Sequence, residues 1–127
     1  MNTDSPPTGH TPDVWERSRQ EKRESERIDK EIADLLSVEV EYSIEMGTWV
    51  LIDTDEPYNP TSDYALAFKL FLELEMEIVY YSKHIEILCH WGKEKNGRFM
   101  MQCPRSGSIS KLVCMTAVRK HEIEQPG

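Results

Sequence analysis

Hydrophobic and polar residues alternate over residues 38–44, where Val38, Val40, Tyr42 and Ile44 are separated by Glu39, Glu41 and Ser43. That two-residue period predicts a half-buried strand, with continuation of the preceding helix as the rival, because Glu also favours helix. Met46 and Gly47 break the segment, and Trp49, Val50, Leu51 and Ile52 form a short apolar run behind it. Upstream, residues 14–36 predict a helix with Asp13 as its cap and Glu16 and Glu21 early in its length. Its first part is almost wholly charged, and opposite signs recur at i,i+3 and i,i+4. The apolar stripe of Ile28, Ile32, Leu35 and Leu36 comes only later. The first half is therefore expected to project into solvent or onto a partner, and the second half to dock on the core.

A loop is expected at 53–60, marked by Asp55, Pro57, Asn59 and Pro60. Thr61 or Ser62 is the expected cap of the next helix, with Asp63 near the positive end of its dipole. Tyr64, Ala65, Leu66, Ala67, Phe68, Leu70, Phe71, Leu72 and Leu74 make that helix apolar on most sides, which predicts a central one. Residues 77–102 read as a β-meander, in which Ile85, Ile87 and Cys89 alternate with Glu86, Leu88 and His90. Ser82-Lys83 is a weak turn signal, and Asn96-Gly97 predicts a tight hairpin turn with positive φ at both positions. Ser108 is the expected cap of a last helix. There Ile109, Leu112, Val113, Thr116 and Ala117 recur at the spacing of one buried face, with Lys111, Arg119 and Lys120 off it. Residues 121–127 are expected to fray.

The pattern as a whole predicts an α+β chain: a small antiparallel sheet packed between helices, an α/β/α sandwich, with a long charged N-terminal helix. Its organisation would be a disordered tail at 1–13, the charged helix at 14–37 and the sandwich domain at 38–123.

Composition narrows the function classes. A chain of 127 residues suits one domain, and a net charge of −8 disfavours non-specific binding to duplex nucleic acid. No apolar run approaches the roughly 20 residues that span a bilayer. The first residues lack the basic and apolar regions of a secretory signal, so the expected location is the cytoplasm. Cys89, Cys103 and Cys114 are odd in number and irregularly spaced, which predicts free buried thiols rather than disulfides or a zinc site. No metal or cofactor is expected.

Catalytic motifs are equally lacking. His84 and His90 could share a sheet face, but no Ser or Cys elbow accompanies them, and no phosphate loop, dinucleotide fingerprint or zinc-protease motif occurs. The best local candidate is Arg105, Ser106, Gly107 and Ser108, ahead of the last helix. A helix start offers unpaired N–H groups and partial positive charge, Gly107 permits close approach, and Arg105 supplies a fork suited to phosphate. The rival is an ordinary capped helix preceded by a turn. Lys111 and Arg119 could extend a basic strip, and Arg98 and Lys95 could approach it in an oligomer. Tyr80, Tyr81, Trp91 and Phe99 could stack on a base. Exposed apolar and aromatic surface predicts a homo-oligomer.

Trp49, Tyr58, Thr61, Ser62, Asp63, Ala65 and Ala67, followed by Leu112, Val113, Cys114, Thr116, Ala117 and Val118, carry a resemblance to a known family. Over residues 28–121 the chain resembles the phage ABA sandwich domain, with its Trp, its Tyr-Ser-Thr-Asp run into an Ala-rich helix, and its closing helix of apolar, Cys, small and Ala residues. Asn59 and Pro60 interrupt the Tyr-Ser-Thr-Asp run, and the charged arm is not a feature of the family. The resemblance implies a phage-encoded protein in the cytoplasm of an infected bacterium, with helices on both faces of an antiparallel sheet. Some phage proteins of similar layout are anti-defence sponges. They sequester, without cleaving, cyclic nucleotide or cyclic ADP-ribose signals of bacterial immunity. The expected function is therefore non-enzymatic capture of such a molecule. The alternative is an acidic inhibitor of a bacterial defence complex, such as a CRISPR effector, acting through the charged helix.

Overall fold

The computed structural model describes residues 14–125; the expected tail at 1–13, Asp13 as a cap, and residues 126–127 lie outside the described residues. Helix α1 (Val14–Leu35) is exposed over residues 15–24, and buries Ile28, Ile32 and Ala33 further on. The charged half is therefore solvent-exposed and the later half docks, as the pattern predicts. The helix stops at a reversal that uses no glycine. Ser37 adopts a φ of 59°, Val38 N–H donates to the Ala33 carbonyl at 2.8 Å, and Ser37 N–H to that of Asp34 at 3.2 Å.

That stop settles the alternating segment as strand. β1 (Val40–Ser43) pairs antiparallel with β2 (Thr48–Leu51), and Tyr42 lies opposite Trp49. Their rings meet edge to face at 5.4 Å. Both are fastened to α1: the Tyr42 hydroxyl donates to Glu26 Oε2 at 2.7 Å, and Trp49 Nε1 donates to the Glu26 carbonyl at 2.9 Å. The Lys30 ammonium sits 5.8 Å from the Trp49 ring centroid. The small hairpin is thus a brace along one side of the charged helix.

Helix α2 (Tyr64–Glu73) is capped by Asp63, not by Thr61 or Ser62; Asp63 Oδ1 accepts from Ala65 N–H at 3.0 Å and Leu66 N–H at 3.2 Å. Thr61 is drawn inward instead, where its N–H donates to the carboxylate of Asp29 on α1 at 2.9 Å. The expectation of a central α2 is overturned. Only Ala67 and Leu70 of this helix are buried, while Tyr64, Phe68 and Leu72 are exposed. The central helix is α3 (Ile109–Glu124), which packs on α1, α2 and two strands. Its small residues Ser110, Cys114, Thr116 and Ala117 let neighbours approach from several sides, and all four are buried. The Thr116 hydroxyl donates to the Leu112 carbonyl at 2.8 Å, so its burial leaves no unmet donor. α3 also outlasts the expected fraying point at His121. Lys120 and Gly92 N–H both bond the Glu124 carboxylate, at 2.6 and 2.9 Å, and hold the last turn.

The second sheet has the order β3 (Glu77–Tyr80), β4 (His84–Trp91), β5 (Gly97–Pro104), all antiparallel. Ile85, Ile87 and Cys89 point into the core shared with α3. The reverse face carries Glu86, Leu88, His90, Arg98, Met100 and Gln102, which are exposed or half-buried. The β4–β5 hairpin forms where expected, but not as a two-residue turn on Asn96-Gly97. Its loop spans 92–96, with positive φ at Gly92 (85°), Glu94 (61°) and Lys95 (57°), whereas Asn96 is at −73°. Gly97 lies opposite Trp91, whose indole occupies the space a side chain there would need. Two small antiparallel sheets and three α-helices among the described residues make the fold α+β, the class the pattern predicts. Among the described residues no helix is long and apolar enough to cross a membrane.

Candidate functional site

The Pro104–Ser108 bend is more fully used by the protein itself than its sequence suggests. Ser108 caps α3, its Oγ accepting from Lys111 N–H at 3.1 Å. Gly107 N–H donates to the Pro104 carbonyl at 2.8 Å, closing a turn. Glycine fits closely there: a Cβ would come within 3.1 Å of both Cys103 Sγ and that carbonyl, and one of them would have to give by a few tenths of an ångström. Arg105 turns towards the sheet: one guanidinium nitrogen donates to the Tyr81 carbonyl at 2.8 Å, and its carbon lies 5.5 Å from the Tyr80 ring centroid. Ser106 is exposed beside it.

The other predicted site residues do not gather there. Lys111 points to α1 and pairs with Glu24 at 2.5 Å. Arg119 is eight residues further along α3, roughly 12 Å on at about 1.5 Å per residue, and pairs with Glu122 at 3.6 Å. Arg98 lies on the reverse face of the sheet opposite His90, and Lys95 pairs with Glu75. Of the candidate stacking residues, Tyr80 and Tyr81 are exposed, whereas Trp91 covers Gly97 and Phe99 packs against the core.

What the fold builds instead is a polar cleft of about 620 Å³ on the other side of Ser108. Four segments converge on it: Glu21, Lys22, Ser25, Glu26 and Asp29 of α1; Gly47 and Thr48 at the β1–β2 turn; Asn59, Thr61 and Ser62 ahead of α2; and Ser108 and Lys111 at the start of α3. The volume falls within the roughly 300–1,000 Å³ usual for small-molecule sites. An aromatic groove between α2, β3 and α3, lined by Phe68, Phe71 and Tyr80 among others, measures only about 90 Å³.

The cleft mixes charge and hydroxyl groups. Lys111 holds the Glu24 carboxyl below the usual range through their hydrogen bond, with their opposite charge adding to it. Asp29 is buried, and that burial pushes its carboxyl up against the opposing pull of the Thr61 hydrogen bonds, with Glu26 adding to the rise. Glu26 is committed to Tyr42 and Trp49, and Ser62 Oγ donates to the Asn59 carbonyl at 3.3 Å. Ser25, Thr48, the Ser108 hydroxyl hydrogen and the Lys22 ammonium remain to meet a guest, whereas the Lys111 ammonium is held by Glu24. The signal visible in sequence was limited to Ser108 and Lys111; the remaining lining comes from residue types that are ordinary on any surface.

Nothing else in the described residues assembles like a reaction centre. His84 and His90 do share the reverse face, but six residues of strand separate them by roughly 20 Å at about 3.3 Å per residue, and His84 bonds Glu86 at 2.9 Å. All three cysteines are free. Burial raises the Cys89 and Cys103 thiols and pushes Cys114 up to about 12, the opposite of what a thiolate nucleophile needs. No group of His, Cys, Asp and Glu among the described residues could hold a metal ion. No protein-family model, curated protein or solved structure matches this chain.

Proposed function

We propose that the protein acts by binding rather than by chemistry, and that its guest is a small nucleotide-type molecule seated in the polar cleft. The observation that carries this reading is the cleft's lining: two ammonium groups and a helix N-terminus facing hydroxyls and carboxylates across a space of ligand size. A phosphate group suits Lys111, Lys22 and the α3 start. Ribose hydroxyls and base amino groups suit Glu21 and the serine and threonine oxygens. On binding, a phosphate takes the place of Glu24 on Lys111. One ion pair of Lys111, whose side chain is half-buried, is thereby exchanged for another, so its ammonium is not left without a counter-charge. The corresponding role, which the phage ABA sandwich resemblance implies, is sequestration of an immune signalling nucleotide in an infected bacterium.

Titration calorimetry against a panel of cyclic dinucleotides, cyclic trinucleotides and cyclic ADP-ribose tests this. One member should give saturable heat and be recovered intact by chromatography. Lys111→Ala should weaken it at least about tenfold, the loss of one charge-assisted contact. Arg98→Ala should leave it unchanged. Absence of heat for every member, or equal binding by the Lys111→Ala protein, would refute the assignment.

A further inference from the structure

The aromatic groove between α2, β3 and the start of α3 shares no lining residue with the polar cleft. Ile78 and Tyr80 of β3 form one wall and Tyr64, Phe68 and Phe71 of α2 another, with Ile109 of α3 beside them. Tyr64 and Phe68 are 62 and 52 % exposed, although both are large and aromatic. At about 90 Å³ the groove suits a side chain rather than a whole small molecule. It runs along a sheet edge, because β3 is an outer strand of its sheet. Tyr81 N–H donates to the His84 carbonyl, so by antiparallel alternation Glu77 and Val79 bond inward to β4. Ile78 and Tyr80 then turn their N–H and carbonyl groups off the free edge. Among the described residues no proline and no covering strand blunts that edge.

We propose that β3 takes up an extended segment of another protein as an added antiparallel strand, and that four successive residues of that segment read acidic, any, apolar, basic. Register and charge together select this occupant. Ladder bonds join residues that both turn outward, and directly opposed residues share a face. A strand antiparallel to β3 therefore sets its first residue opposite Tyr80, its second opposite Val79, its third opposite Ile78 and its fourth opposite Glu77. The first and third bond to β3 and stand on the groove face, since the β4 partners of Tyr80 and Ile78 are the core residues Ile85 and Ile87. The first meets Arg105, whose guanidinium carbon lies 5.5 Å from the Tyr80 ring centroid, and so is acidic. One Arg105 nitrogen bonds the Tyr81 carbonyl, and its other donors remain. The third enters the groove and is apolar. The fourth lies on the reverse face against Glu77 and is basic. Among the described residues neither Arg105 nor Glu77 forms an ion pair, so both charges are free to take one. The β3 strand of a second copy does not supply this pattern. In the registers that bond outward residues to each other, it sets Met76, Ile78 or Tyr80 opposite Tyr80, and none of these is acidic.

Fluorescence anisotropy of the full chain with a labelled peptide of about eight residues, centred on aspartate-valine-leucine-lysine, tests this. Binding should saturate at micromolar protein. Methylating the leucine amide nitrogen removes a ladder bond and should weaken binding about tenfold. The valine amide points to solvent, and its methylation should change nothing. Phe68→Glu, at an exposed position, should abolish binding. Glu77→Lys should weaken it about three- to tenfold, and a peptide with glutamate in place of lysine should restore it. No binding of the parent peptide would overturn the proposal. So would equal losses from the two methylations, or a charge swap that fails to rescue. Sedimentation of the protein alone as a dimer that Phe68→Glu dissociates would assign the face to a second copy and overturn it too.

Discussion

Gly97→Val should lower the stability of the protein by about 3 kcal/mol, the upper end of the usual cost of overpacking. Gly97 pairs with Trp91 across the β4–β5 hairpin, and a Cβ at 97 would fall inside the indole. The strand has no freedom to retreat, because every residue of β5 from Gly97 to Pro104 is in register with β4. The indole must therefore swing off the hairpin, which strips the contact that closes this end of the sheet and exposes aromatic surface. Denaturant unfolding should show the midpoint fall, and tryptophan emission of the folded variant should shift to the red. Gly92→Ala is the informative comparison. Its Cβ would meet nothing, but the residue has a φ of 85°. With a ψ of 171° it should cost about 1–3 kcal/mol of backbone strain and leave the emission unmoved. An emission as unmoved in Gly97→Val as in Gly92→Ala would mean that the Trp91 contact does not set the requirement at 97.

Asp29→Ala should cost about 1–3 kcal/mol, because it leaves the buried Thr61 N–H without its acceptor. Asp29→Asn retains an acceptor oxygen and removes the charge, and should match or exceed the wild type at pH 7. The sign follows from the direction of the shift. The folded Asp29 carboxyl titrates above its ordinary value, with burial the main cause. The folded state therefore keeps a proton there over a range in which the unfolded chain has lost it. The stabilisation from that proton is complete below the ordinary carboxylate range and disappears as pH rises through the folded value. The advantage of Asp29→Asn over the wild type should accordingly shrink as pH falls from 7 towards 4. Glu24 and Glu124, whose carboxyls are held low by Lys111 and Lys120, lose stability in acid. They do so in both proteins and cancel in the difference. An Asn variant as unstable as the Ala variant at pH 7 would show that the ionised carboxylate itself is required.

The elements were legible where local pattern decides them. The 2-residue alternation at 38–44, the 3.6-residue stripe of α3 and the late apolar stripe of α1 each correspond to an observed element. Three features were not legible, for separate reasons. α1 and α2 end on Ser37 and Glu75 in the left-handed region, where sequence rules look for glycine. Asn96-Gly97 matched a turn signature, but its glycine serves the ring of Trp91 instead. α2 outranks α3 in apolar content, yet centrality depends on how many neighbours can approach, and small residues on α3 permit more of them. The site was legible to the extent of two residues. Ser108 and Lys111 stood out as part of a helix start, but the cleft also needs residues 21–29, 47–48 and 59–62, which only the packing of α1 and its hairpin brings together.

Amide chemical-shift mapping of isotope-labelled protein during titration with the nucleotide that gives heat examines the site assignment most directly. The shifts should centre on Lys22, Ser25, Thr48, Thr61, Ser108 and Lys111, from four separate segments at once. Shifts confined to residues 105–107 and the tyrosines of β3, with the α1 and 59–62 amides unmoved, would contradict the cleft as the binding site.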